Sequence, residues 1–78
     1  MESEPGKVDR LDAAARRWNL TPKQVEVLGL LAHGLSNRSI AAALGCAGST
    51  VELHVTALLR KTHCRGRAAL VARYWTDM

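Results

Sequence analysis

The strongest constraint on this chain is the stretch from Ser49 to Thr62, which reads as a helix with two different faces. Val51, Val55, Leu58 and Thr62, with Leu59 beside them, recur at helical spacing and are expected to point inward. Ser49, Glu52, Leu53, Thr56 and Arg60 form a second stripe, at i, i+3, i+4, i+7 and i+11, that points outward. Just before it lies Ile40-Ala41-Ala42-Ala43-Leu44-Gly45, a short helix closed by glycine. A short helix, a tight turn and a two-faced helix make the helix-turn-helix arrangement, whose second helix can enter the major groove of DNA. The rest of the chain is expected to hold that helix up.

What surrounds it is small. Seventy-eight residues allow one domain, and a domain of this size buries only roughly 60% of its unfolded surface. Leu, Ala and Val dominate the apolar set, Phe is absent, and Gly and Pro fall at punctuation points. That favours an all-α fold. The net charge is +4 and the isoelectric point near 9.7. Such a balance is compatible with a nucleic acid or an anionic surface without requiring either. The N-terminal segment has no long apolar run, so neither a signal peptide nor a membrane span is expected. Cys46 and Cys64 form no CxxC pair; free thiols and a cytoplasmic setting fit them better than a disulfide framework.

Residues 1–7 are polar with a Pro-Gly pair, and residues 1–19 read as a tail plus a short leading helix or linker. Val8, Leu11, Ala15 and Trp18 make the inner stripe of that helix. Asp9, Arg10, Asp12, Arg16 and Arg17 make a solvated outer face. A domain over residues 20–76 follows. Thr21, Pro22 and Gln24 spell a capping box with proline at the first helical position, and Leu20 with Val25 a hydrophobic staple. That helix runs through Val25, Leu28, Leu31 and Ala32 to His33. Gly34 is the left-handed stop, and Leu35 folds back. Ser36 caps the next helix, on which Ile40, Ala41 and Leu44 face inward; Gly45 ends it. After the turn Cys46-Ala47-Gly48, Ser49 and Glu52 spell a second capping box. Beyond the basic connector Arg65-Gly66-Arg67, a last helix covers Ala68 to about Trp75, with Leu70, Val71 and Tyr74 on one side.

These residues resemble a known family. Leu20-Thr21-Pro22-Lys23-Gln24-Val25-Glu26-Val27-Leu28 is similar to the opening of the LuxR-type (GerE, NarL, FixJ) helix-turn-helix domain. Gly34-Leu35-Ser36-Asn37-Arg38-Ser39-Ile40-Ala41 continues the likeness. So do Thr50-Val51, His54-Val55, Leu58-Leu59-Arg60-Lys61 and Arg67-Ala68-Ala69-Leu70-Val71, in the family's order and without gaps. The resemblance implies four helices and an output domain of a bacterial transcription regulator that binds double-stranded DNA, with a short helix preceding it here. It implies base reading at Glu52, Leu53 and Thr56. Backbone contacts would come from Ser36, Asn37, Ser49, Thr50, His54 and Lys61, and a last helix contributing to a homodimer maps to Leu70 and Tyr74. RNA polymerase is a further candidate partner. The chain departs from the family at five places: Glu52 where lysine is common, Thr56 or Ala57 near which a polar or basic residue is frequent, Ala47 where a polar cap is usual, His63 at a common glycine, and Ala69 at a capping glutamate.

Two readings stand beside each other at several of these positions. Duplex binding is largely phosphate neutralisation. Lys23, Arg38, Arg60, Lys61, Arg65 and Arg67 outnumber Glu26 and Glu52 between residues 20 and 67. Arg60 and Lys61 also suit a helix C-terminus electrostatically. Leu53 can meet a thymine methyl or lie idle on the surface. Glu52 can accept from a cytosine amino group or complete the Ser49 box. His54 can approach phosphate or sit half-buried with a local partner. No zinc-ligand spacing, nucleophile elbow or phosphate loop occurs, so no metal, cofactor, small-molecule ligand or enzymatic activity is expected. The alternative is a protein-interaction or dimerisation module of the same fold with weak DNA binding, for which Glu52, Leu53 and Ala57 speak. A promoter-reading sigma domain has a similar helix pair, but the helix after Arg67 and the histidine at position 54 argue against it.

Overall fold

Four of the chain's helices stop in the same way, and this repetition lays out the fold. A computed structural model describes residues 9–76 and contains five helices there: α1 (Arg10–Arg17), α2 (Pro22–Ala32), α3 (Asn37–Leu44), α4 (Gly48–Thr62) and α5 (Arg67–Thr76). The expectations for residues 1–7 and Val8 lie outside the described residues. After each of α1 to α4 one residue takes left-handed backbone: Asn19 (φ 54°), Gly34 (φ 91°), Gly45 (φ 70°) and His63 (φ 58°). The next residue's N–H then reaches back five positions, in Leu20→Ala15, Leu35→Leu30, Cys46→Ala41 and Cys64→Leu59, at 2.9–3.3 Å. This closure satisfies carbonyls that a helix end leaves open. Gly34 and Gly45 adopt the conformation freely, and Asn19 tolerates it. His63 is the costly exception.

Starts are set by side-chain caps at three of the helices. Asp9 accepts from Leu11 N at the head of α1. Thr21 and Gln24 form the reciprocal box, with Gln24 N→Thr21 Oγ1 at 3.2 Å and Thr21 N→Gln24 Oε1 at 3.0 Å. Ser36 Oγ accepts from Ser39 N at 3.1 Å. The expected Ser49–Glu52 box does not form: α4 begins at Gly48, its N-cap is Ala47, and no side chain caps it. Backbone bonding decides this. Gly45 and Cys46 are committed to closing α3, and the Ala47 carbonyl accepts from Thr50 N at 3.0 Å and Val51 N at 3.2 Å. A start at Ser49 would forfeit both bonds for one side-chain cap, and each is worth about 1 kcal/mol.

The core is built from residues of every helix. Val27, Leu28 and Leu31 of α2, Ile40 of α3, Val51 and Leu58 of α4 and Leu70 of α5 are essentially inaccessible. The inward stripe of α4 is as expected, with Val51, Val55, Leu58 and Thr62 all buried; the Thr62 hydroxyl is satisfied by donating to Leu58 O at 2.8 Å. On α2, Val27 is fully buried while Val25 is only half-buried. This helix is the hub, packed by all four others, so one apolar stripe understates its buried surface. On α1, Ala14 is the buried residue; Leu11 and Trp18 pack against the core from its edge, and Ala15 is half-buried. Arg10, expected to be solvated, instead donates to Tyr74 O (3.1 Å) and Trp75 O (3.2 Å) at the end of α5. Its guanidinium also lies over both rings, 5.7 and 5.1 Å from their centroids. Trp75 in turn donates Nε1 to Ala32 O at 2.9 Å, so α1, α2 and α5 meet in one knot.

Candidate nucleic-acid interface

Between α3 and α4 the chain turns by 111° across a three-residue break. That is within the ~90–120° of a helix-turn-helix pair. Because α3 and α2 both lie on its inner side, α4 is left with one clear outer face. Ser49, Glu52, Leu53, Thr56 and Arg60 are all exposed on it, and Leu53 keeps 71% of its surface in solvent. Thr50 and His54 flank the stripe and are half-buried. No hydrogen bond or ion pair among the described residues engages the Glu52 carboxylate. The local alternative for Glu52, completing a box with Ser49, is therefore not realised.

The surrounding cations are not equally placed. Arg38, Arg60 and Arg65 are exposed. Lys23 is exposed but pairs with Glu26 at 2.9 Å; that hydrogen bond, and then the glutamate's charge, raise the ammonium's pKa above its usual 10.5. Lys61 Nζ spends two of its three donors inside the protein, on Asn19 O at 2.8 Å and Gln24 Oε1 at 2.9 Å. It thus pins the end of α4 to the α1–α2 turn and to the capping box of α2. Arg67 is tied in too, to Asn37 Oδ1 and Leu35 O, each at 2.7 Å. Asn37 is therefore engaged with the first turn of α5, and Ser36 with its capping role. These long-range ties carry no signal in residue spacing. A basic residue facing two carbonyls forty positions away looks in sequence like any other surface cation.

The last helix turns its expected contact residues inward. Leu70 and Tyr74, expected at a dimer contact, are 0% and 4% exposed and belong to the chain's own core. The outer surface of α5 consists of Ala68, Ala69, Ala72, Arg73, Trp75 and Thr76. Burial, the largest influence, also raises the Tyr74 hydroxyl above its usual pKa of 10.0. Away from the α4 face, an open apolar groove of about 330 Å³ is lined by Leu11, Glu26, Gly29, Leu30, His33 and Leu44. Among the described residues, no single helix is long and apolar enough to cross a membrane.

Comparison with known proteins fits this geometry. A family profile described as "Bacterial regulatory proteins, luxR family" matches residues 18–74, which takes in α2 to most of α5 and none of α1. The nitrate/nitrite response regulator protein NarP of Escherichia coli is 46% identical over 50 residues, covering 64% of this chain and 23% of that protein. The monoamine regulon transcriptional regulator of Klebsiella aerogenes is 39% identical over 56 residues, 72% of this chain and 25% of that one. The tetrathionate response regulatory protein TtrR of Salmonella typhimurium is 40% identical over 55 residues, 70% and 27% of the two chains. The chain thus spans about a quarter of the length of these relatives. No solved structure matches it significantly.

Proposed function

The chain belongs to the luxR family of bacterial regulatory proteins, and from that premise we propose that it binds double-stranded DNA sequence-specifically as the output domain of a transcription regulator. The observation that carries this reading is the free outer face of α4, held at 111° to α3 by the three-residue turn Gly45-Cys46-Ala47. A helix presented in this way can be laid in the major groove while the preceding helix crosses the phosphate backbone.

Glu52, Leu53 and Thr56 are the base-reading residues in this proposal. Arg60, Thr50, His54, Ser49 and Ser36 contact the backbone, with Lys23 released from its exposed pair with Glu26. Exposed ion pairs are largely screened by solvent, so that release is cheap. Lys61 and Asn37 act mainly by holding the frame, and the remaining Lys61 donor and its charge stay available to phosphate. Two copies would read two half-sites, meeting through the outer surface of α5 rather than through Leu70 and Tyr74.

Binding to a pool of random duplexes at low and moderate salt, with the bound fraction sequenced, tests the proposal. A steep fall with salt and an enriched, two-fold-related motif are expected, because each neutralised phosphate releases counterion. Weak binding without a motif, together with self-association of the chain, would instead support an interaction module built around the exposed Leu53 and Trp75.

A further inference from the structure

The outer stripe of α4 has an unusual chemistry for a helix in a groove. From Gly48 to Leu59 it holds no lysine or arginine; the first cation is Arg60, two turns beyond Glu52. Its exposed groups are, in order, a hydroxyl, a carboxylate, a bare leucine and a second hydroxyl: Ser49, Glu52, Leu53 and Thr56. Guanine presents two acceptors, O6 and N7, in the major groove and is read by the donor forks of arginine or lysine. This stripe has none to offer. Cytosine presents an amino donor there and thymine a methyl group.

We propose that α4 selects a C·G pair from its cytosine edge, next to a pair that presents a thymine methyl. This specificity rests on the DNA-binding reading above. The Glu52 carboxylate accepts from the cytosine N4 amino group, and Leu53 covers the methyl. The structure supplies what each role needs. Glu52 is exposed, and no described residue pairs with it, because α4 starts one residue before Ser49 and the competing box is absent. Leu53 holds its side chain out in solvent at 71% exposure, ready to lose water against another apolar group. The two residues are neighbours in sequence, about 1.5 Å apart along the axis and splayed to either side of the stripe. That lets them meet consecutive base pairs, whose spacing along a strand is about 3.4 Å.

Selection also operates by rejection. Opposite guanine, the carboxylate would face two acceptors with no proton between them. Opposite adenine, the N6 amino group is a donor, but N7 beside it repels the second carboxylate oxygen. Leaving such groups unpaired in a closed groove is what makes discrimination steep. The same charge repels phosphates on every sequence, so it sharpens choice while lowering overall affinity.

The test uses the same random-duplex selection on the wild-type chain, Glu52→Gln and Glu52→Lys. Position 52 is exposed and uncapped, and circular dichroism melts check that all three proteins are folded. The wild-type chain should enrich cytosine at one position by about fivefold or more over the other bases. Glutamine pairs bidentately with adenine and lysine with guanine, so the preference at that position should move to adenine in Glu52→Gln and to guanine in Glu52→Lys. Flanking positions should keep their bases. An enriched motif whose every position is unchanged in both variants overturns this inference and leaves DNA binding standing. Absence of any motif in all three proteins overturns both.

Discussion

One end of α4 carries a residue in a disfavoured backbone conformation and the other lacks a side-chain cap, and repairing both should stabilise the domain by a predictable amount. His63 sits at φ 58°, ψ 37° as the residue that stops α4. For an L-residue with a Cβ this conformation costs about 1–2 kcal/mol, which glycine avoids at the expense of a floppier unfolded chain. The His63 side chain is exposed, so little contact is lost. His63→Gly is expected to gain about 1 kcal/mol. At the other end, Ala47 has the extended φ −79°, ψ 153° of an N-cap but no side-chain acceptor. Ala47→Ser supplies one for the N–H groups of Ser49 or Thr50, worth about 1 kcal/mol. The two sites lie about 24 Å apart along the helix, so their effects should add. For a domain of this size each kilocalorie moves Tm by about 4–8 °C, and the double variant should melt roughly 8–16 °C higher. Gly34→Ala and Gly45→Ala provide the reverse control. An added Cβ at either glycine meets nothing within 4 Å, so their expected loss of about 1 kcal/mol is purely conformational. Urea unfolding followed by Trp18 and Trp75 fluorescence, checked for an unchanged m-value, measures all of these. If His63→Gly is neutral or destabilising while Gly45→Ala costs its kilocalorie, the strain argument for position 63 is wrong. Neither repair touches Glu52, Leu53 or Thr56, so base preference should not move.

Four further outcomes are expected. Leu53→Ala should relax discrimination at one base pair by about 1–3 kcal/mol, measured on single-substituted duplexes; full discrimination in that variant would remove Leu53 from the reading set. Lys61→Ala should cost about 1–2 kcal/mol of stability, since it strips Asn19 O and Gln24 Oε1 of a charged donor, and should lower the salt slope of DNA binding by about one unit; an unchanged slope would make Lys61 a frame residue alone. Arg10→Ala should destabilise by about 1–2 kcal/mol and alter Trp75 fluorescence, because it removes two carbonyl hydrogen bonds and two ring contacts; a silent variant would mean the α1–α5 knot contributes nothing. Tyr74 has a folded pKa raised above 10.0, so the stability it contributes is intact below about pH 10 and lost as pH rises from there through its folded value; in urea titrations Tyr74→Phe should flatten that alkaline decline, and an identical decline in both proteins would refute the assignment.

Local chemistry alone determined most of the framework. Thr21-Pro22-x-Gln24 can satisfy the orphan amides of α2 within four residues, and Gly34 and Gly45 permit the left-handed stops without reference to the rest of the molecule. The two stripes of α4 follow from helical periodicity, so its inward and outward residues were readable in advance. Tertiary structure decided what depends on distant partners. The start of α4 went to Gly48 because backbone bonds to Ala47 O outweighed the cap that Ser49 offered. Leu70 and Tyr74 became core because α5 packs that side onto α2 and α4. Arg10, Lys61 and Arg67 found carbonyls 64, 42 and 32 residues away. A long flexible cation has no periodic signature for such a bond: its partner is a carbonyl left open at a helix end or turn, and only the packed fold sets where that carbonyl lies.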